Sequence, residues 1–228
     1  MHAENVTFPV NGDSARGYLA QPDGDGPFPA VVVIQEYWGL DAHIRSLAER
    51  FAGEGFIALA PDLYHGQVAT EPDDARKLVM SMNMDVALSE IRAAMSYLTA
   101  MEPVEPKTVG IIGFCMGGRL TLATASTGDD RIGDVAAFYG GGVQPTPEFV
   151  KGIAVPVLAV YGEEDQGIPA EQREALAAEM DRQEKTFDMV VYPGAQHAFM
   201  NDMRPAYNEN AASDAWTRAV QWFHSNIG

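Results

Sequence analysis

Cys115 is the only cysteine in the chain and stands in Gly113-Phe-Cys-Met-Gly-Gly118. The run before it, Thr108-Val-Gly-Ile-Ile-Gly113, is β-branched, and the run after it, Arg119-Leu-Thr-Leu-Ala-Thr-Ala125, is helix-like. This pattern predicts a strand, a sharp glycine turn and a helix, with the sulfur at the apex. It is the nucleophile elbow G-x-S-x-G with cysteine in place of serine. Glycine is needed at 113 and 117 because a side chain there would collide with the turn or the helix beneath it. The helix N-terminus brings unpaired N–H groups and the positive end of a dipole, which favour a thiolate and later an oxyanion. A buried structural cysteine is the competing reading. A dinucleotide loop fits less well, since G-x-x-x-G-G is not G-x-G-x-x-G.

A thiol becomes a strong nucleophile when an imidazole shares its proton, and a carboxylate fixes the ring that does so. His197 lies in Pro193-Gly-Ala-Gln-His197, directly after a strand-like run. The other histidines suit other places: His2 in a loose terminus, His43 opening a helix, His65 in a loop and His224 closing the last helix. For the acid, Glu163, Glu164 and Asp165 are adjacent. Asp165 is the choice, because it lies deepest in the loop before Ile168-Pro169 and can turn back towards a histidine. Glu36 also follows a buried strand, beside Tyr37 and Trp38. It reads equally as a surface carboxylate or as a group that burial would push towards its protonated form, able to trade a proton with Cys115. No cofactor loop and no metal-ligand pattern appears, neither H-E-x-x-H nor a glycine-spaced calcium loop.

The elements that must position these residues alternate. Residues 5–10 and 15–20 are strand candidates joined by the hairpin signal Asn11-Gly12-Asp13. Pro29–Gln35, Phe56–Ala60, Thr108–Gly113, Val135–Tyr139, Val155–Tyr161 and Thr186–Tyr192 are further strands. Helical periodicity marks Ile44 to Ala52 behind the cap Asp41, Met84 to Leu98, a helix to about Arg182 with Pro169 in its first turn, and Ala212 to Phe223. The segment between Pro61 and the Met84 helix reads as a polar stretch. Alternation of this kind implies right-handed crossovers and a mostly parallel sheet of about eight strands with helices on both faces. In such sheets sites form at the C-terminal strand ends. The order Cys115, Asp165, His197 is the nucleophile–acid–histidine order of the α/β-hydrolase fold.

The 228 residues are expected to form one domain, 1–228, with no large lid. Fifteen Lys and Arg against 32 Asp and Glu give a net charge of −17, which opposes nucleic acid and anionic membranes. One cysteine allows no internal disulfide, and MHAENVTFPV carries no signal-peptide pattern. A cytoplasmic monomer or small homo-oligomer acting on a small molecule is the expectation.

The chain resembles the dienelactone hydrolase (carboxymethylenebutenolidase) family. The resemblance rests on Gln35-Glu-Tyr-Trp-Gly-Leu40, Ala60-Pro-Asp-Leu-Tyr64, Gly110-Ile-Ile-Gly-Phe-Cys-Met-Gly-Gly118, Tyr161-Gly-Glu-Glu-Asp-Gln-Gly-Ile-Pro169 and Tyr192-Pro-Gly-Ala-Gln-His-Ala-Phe199. It implies a cofactor-free hydrolase of small lactones or esters. Cys115 would be nucleophile, His197 base and Asp165 its orienter, with Glu36 helping to form the thiolate. It implies an oxyanion hole from the Tyr37 and Met116 backbone N–H groups. The family's arginine four residues past the catalytic histidine is Asn201 here, which puts a carboxylated lactone in question as substrate. Trp38, Arg76, Asn201 and Arg204 are the substrate-binding candidates, with Arg204 first and Arg76 second for any anionic group. Neutral esters and lactones are expected to be turned over at least as well. A general esterase or thioesterase, and a silent binding module, are the alternatives; three intact catalytic types argue against the latter.

Overall fold

Ala30, Val31, Val32, Val33 and Ile34 are all fully buried, so the strand that carries them is covered on both faces. Val31 and Val33 join one apolar cluster, while Val32 and Ile34 join the other. The computed structural model describes residues 1–228. Its elements run β1 (His2–Val10), β2 (Asp13–Gln21), β3 (Phe28–Ile34), α1 (Ala42–Gly53), β4 (Ile57–Pro61), α2 (Pro72–Ser81), α3 (Met84–Ala100) and β5 (Val104–Phe114). They continue with α4 (Met116–Ala125), β6 (Ile132–Phe138), α5 (Pro147–Gly152), β7 (Val157–Gly162), α6 (Ala170–Arg182), β8 (Phe187–Tyr192) and α7 (Glu209–Asn226). The strands form one sheet in the order β1-β2-β4-β3-β5-β6-β7-β8. β1 and β2 are antiparallel, as are β2 and β4, and every other pairing is parallel.

Helix α1 brings Ile44, Leu47 and Phe51, and α7 brings Ala215, Trp216 and Phe223, to one face. Helix α3 brings Ile91, Met95 and Leu98, α4 brings Leu120 and Leu122, and α6 brings Leu176 and Met180, to the other. The mostly parallel α/β sheet with helices on both faces is therefore as the alternation predicts, and no large extra domain is added. Register then aligns the strand ends. Ile34 pairs with Gly113, and Phe114 with Phe138, so the residues following β3, β5 and β6 share one edge. Gly162 pairs with Tyr192, which sets the loops after β7 and β8 side by side.

Four local readings change. His2 is not in a loose terminus: it opens β1 and pairs with Gln21. The segment read as a polar stretch contains α2, with Pro72 in its first turn and Asp73 and Asp74 behind it. Only Ala75 of this helix is buried, so it lacks the apolar stripe that periodicity detects. The short α5, capped by Thr146, was not expected either. Pro169 is the residue before α6 rather than part of its first turn. The hairpin is where Asn11-Gly12 predicts it, both residues taking positive φ (46° and 86°) as a tight β-turn requires.

Asp134, in the middle of β6, is fully buried, and neither carboxylate oxygen has a hydrogen-bond partner. Burial pushes its carboxyl up to about 8. The folded chain therefore holds a proton that the unfolded chain releases near pH 4. Stability is expected to fall between pH 4 and 8 by about 1.4 kcal/mol per unit from this group. Asp134→Asn removes that term. Its Tm relative to the parent is expected to rise by roughly 8–15 °C between pH 5 and pH 8, and an unchanged difference across that range would refute the assignment.

Candidate active site

The elbow forms as the glycine spacing predicts. Cys115 has φ 57° and ψ −115°, a backbone conformation a non-glycine residue rarely adopts. It lies between the end of β5 and the first residue of α4. A Cβ on Gly113 would come within 2.2 Å of the Gly117 carbonyl oxygen, and one on Gly117 within 2.5 Å of that of Ile34. Both glycines are therefore required by the close approach of helix and sheet. The result is a half-buried sulfur held above the sheet edge.

His197 Nε2 lies 3.1 Å from Cys115 Sγ, and its Nδ1 lies 2.6 Å from Asp165 Oδ2. Of the three adjacent acids, Asp165 alone is buried, while Glu163 and Glu164 are exposed. Its second oxygen accepts from the Gly167 amide at 2.9 Å, so the carboxylate is held from both sides. Burial alone would lower the imidazole, but its hydrogen bonds to Asp165 and Cys115 overcome it and carry His197 up to about 10. A ring that keeps its proton while facing a thiol is the arrangement from which a thiolate–imidazolium pair forms.

Glu36 is 1% exposed, two residues beyond β3. It accepts from Tyr139 Oη at 3.1 Å and from Asn201 Nδ2 at 2.6 Å. Burial pushes its carboxyl upward, against the pull of His43 and of those two donors. Both oxygens are engaged away from the sulfur, whose own partner is His197. The fully buried Tyr139 ring meets the His197 ring edge-on at 5.2 Å, so Glu36 is joined to the imidazole through one aromatic ring. Met116 is the first residue of α4, where an amide has no intrahelical acceptor, and the Tyr37 amide makes no backbone hydrogen bond.

A cleft of about 400 Å³ opens over the sulfur, walled by Tyr37, Met116, Tyr139, Ile168 and, from α2, Val79 and Met80. Its charged lining is Arg76, Arg119 and His197, with no carboxylate. Among the four substrate-binding candidates, only Arg76 lines it. Trp38 is buried against Ala69 and Ala75, beneath α2. Asn201 is fully buried on Glu36. Arg204 lies 3.4 Å from the centre of the Trp38 ring, an attraction between cation and π face that occupies it elsewhere. The expectation that Arg204 comes first for an anionic group is therefore corrected. The residue missed is Arg119, four positions past Cys115 and thus on the same face of the elbow helix. Arg76 is paired with Asp73 at 2.9 Å, whereas Arg119 is exposed and joined to no carboxylate.

This sheet, with its elbow and strand-end loops, defines an α/β hydrolase. Residues 15–227 match the model of the dienelactone hydrolase family. A Synechocystis protein that bears the name carboxymethylenebutenolidase is 34% identical, over 97% of this chain and 96% of its own. Protein usf of Aquifex pyrophilus is 36% identical, over 96% of each. A Klebsiella pneumoniae structure described as a dienelactone hydrolase superposes with a TM-score of 0.89 at 32% identity, covering 98% of both chains. A dienelactone hydrolase-like promiscuous phosphotriesterase from metagenomic libraries reaches 0.89 at 26% identity, covering 100% of this chain and 99% of its own. The chain belongs to the dienelactone hydrolase family and is a hydrolase of the kind that acts on ester or lactone substrates. No helix is long and apolar enough to cross a membrane.

Proposed function

We propose that the chain, working as one domain over residues 1–228, hydrolyses small lactones and carboxylic esters through Cys115, His197 and Asp165. The observation that carries this reading is the line from Asp165 Oδ2 to His197 at 2.6 Å and from His197 to Cys115 Sγ at 3.1 Å. The sulfur attacks the carbonyl carbon, and the oxygen that becomes negative is received by the Tyr37 and Met116 amides. The imidazolium gives its proton to the departing alkoxide, which in a lactone stays tethered as the ring opens. His197 then takes a proton from water, which attacks the acyl-thiol and frees the carboxylic acid. Glu36, buried beside the nucleophile's loop, exchanges a proton with the thiol when substrate displaces the resting contacts. The acyl-thiol is the test of this route. Rapid acid quenching during turnover of an activated ester is expected to show, by intact mass, an acyl group on Cys115 and none in Cys115→Ala. No adduct under burst conditions would refute covalent catalysis.

Charge refines the substrate. The whole molecule repels anions, with a net charge of −17, yet the charged side chains that line the cleft are all basic. Local contacts outweigh a distant field that salt screens within about 10 Å. A lactone bearing a carboxylate therefore fits, anchored by Arg119 with Arg76 beside it. Both guanidinium groups are solvated, so each contact is modest. Arg119→Ala is expected to raise KM for a carboxylated lactone by roughly 3- to 10-fold with kcat little changed, and to leave an uncharged lactone unaffected. Equal losses on both substrates would sink this assignment.

A further inference from the structure

Helix α2 presents two adjoining faces, and the mechanism above gives its apolar side chains no part. Ala75 and Leu78 pack inward with Tyr37 on the buried Trp38. Arg76, Val79 and Met80, at helical spacings of three and four, share the next face and line the cleft over Cys115. Met80 is 86% exposed, more than any other large apolar side chain of the protein. A lone exposed methionine would need no explanation. This one continues an apolar surface, because Val79, Tyr37, Met116 and Ile168 form the rest of the cleft wall. Contiguous apolar surface beside a nucleophile is surface that a ligand covers. Methionine is unbranched and flexible, so it adapts to apolar groups of varied shape. The cleft, at about 400 Å³, falls in the range that holds drug-sized ligands and exceeds what a bare lactone ring fills.

We propose that Val79 and Met80 form an acyl subsite, and that the preferred substrates carry a medium-length apolar acyl group which these two side chains cover. The direction follows from the catalytic groups. His197 must reach the leaving oxygen, and Gly167 and Ile168, which line the cleft with it, belong to the loop of Asp165. Helix α2 instead packs on Tyr37 through the Trp38 cluster, and the Tyr37 amide faces the carbonyl oxygen. A substrate whose leaving group points to His197 therefore aims its acyl group at α2. Fully burying one methylene is worth about 4-fold in affinity, and in a cleft open to solvent about 2- to 3-fold. The gain is a uniform binding term, so it enters kcat/KM mainly through KM. The anchor on Arg119 is compatible with this subsite, which acts on uncharged esters as well.

The inference rests on the catalytic reading proposed above, and the experiment separates the two. Values of kcat/KM are measured for p-nitrophenyl acetate, butyrate and hexanoate, and for methyl, butyl and hexyl acetates, each divided by the rate of the same ester with hydroxide. The parent is compared with Met80→Ser, Met80→Leu, Val79→Ser and Met203→Ser. In the parent, each two-carbon step of the acyl series is expected to raise the value by roughly 4- to 9-fold, while the alcohol series rises less. Met80→Ser is expected to cost the hexanoate roughly 3- to 10-fold more than the acetate, and Met80→Leu to restore the slope. Met203, also exposed but outside the cleft, is expected to leave the slope unmoved when changed to serine. A flat acyl series, a slope that neither Met80→Ser nor Val79→Ser reduces, or a steeper dependence on the alcohol overturns the subsite. Acid-quenched intact mass on the hexanoate reaction tests the nucleophile separately. An acyl group on Cys115 with a flat series removes the subsite and leaves the catalytic reading standing. A steep series that depends on Met80, with no adduct, removes the nucleophile and leaves the subsite.

Discussion

Cys115→Ala is expected to abolish ester and lactone turnover, by about 10⁴-fold or more, with the fold retained. The chain has no second cysteine to substitute, and the position lies in the turn between β5 and α4 rather than filling the core. What survives in the variant is the cleft, the amides at the head of α4 and the His197–Asp165 pair, which can orient water but cannot form an acyl-thiol. Because Cys115 adopts φ 57°, alanine there inherits the same backbone cost, and the Tm is expected to stay close to that of the parent. Iodoacetamide should inactivate the parent to the same extent, with one carbamidomethyl group found on Cys115. Turnover within tenfold of the parent in the alanine variant would remove the central claim. Full inactivity accompanied by loss of the folded circular dichroism signal would not support it.

The parts of the molecule that the sequence makes legible are those where one physical rule acts alone. Strands buried on both faces read as continuous apolar runs, as Ala30–Ile34 does. The elbow reads because its glycines have no alternative, with backbone atoms within 2.2 and 2.5 Å of a would-be Cβ. The fold class then follows from alternation, and the strand-end rule points to Glu36, Cys115, Asp165 and His197 together. What is not legible depends on contacts between distant segments. Helix α2 hides because it buries one residue, and it owes its place to the cleft and to Trp38 beneath it. Asn201 stands where the family resemblance expects an arginine, yet its amide is spent on Glu36, across 165 positions of chain. Arg204 is close to the site in sequence but is drawn onto an indole face, while Arg119 reaches the cleft from the elbow helix itself. Helical spacing from Cys115 could have found Arg119. Nothing local to Arg204 signals its partner.

The acid is where sequence leaves three neighbours and geometry separates them. Asp165→Asn is expected to lower kcat/KM by roughly 10²- to 10⁴-fold, while Glu163→Gln and Glu164→Gln change it by less than about threefold. The reason lies in the contacts of each. Asp165 is buried, with one oxygen on His197 Nδ1 and the other on the Gly167 amide, so an amide in its place turns an acceptor into a donor on one side. His197 then loses the partner that most strongly holds its proton against burial, and its ring is free to take the tautomer that cannot accept from sulfur. Glu163 only receives the Gly194 amide at 3.3 Å from an exposed position, and its loss leaves the ring untouched. A pH profile sharpens the comparison. Without Asp165 the imidazole falls back from about 10 towards its ordinary range near 6.5, so the alkaline limb of kcat/KM should move down, and in the two glutamate variants it should not. If Glu164→Gln is the damaging change, or if Asp165→Asn leaves the limb in place, the triad assigned here is shifted and the orienting acid lies elsewhere in the loop.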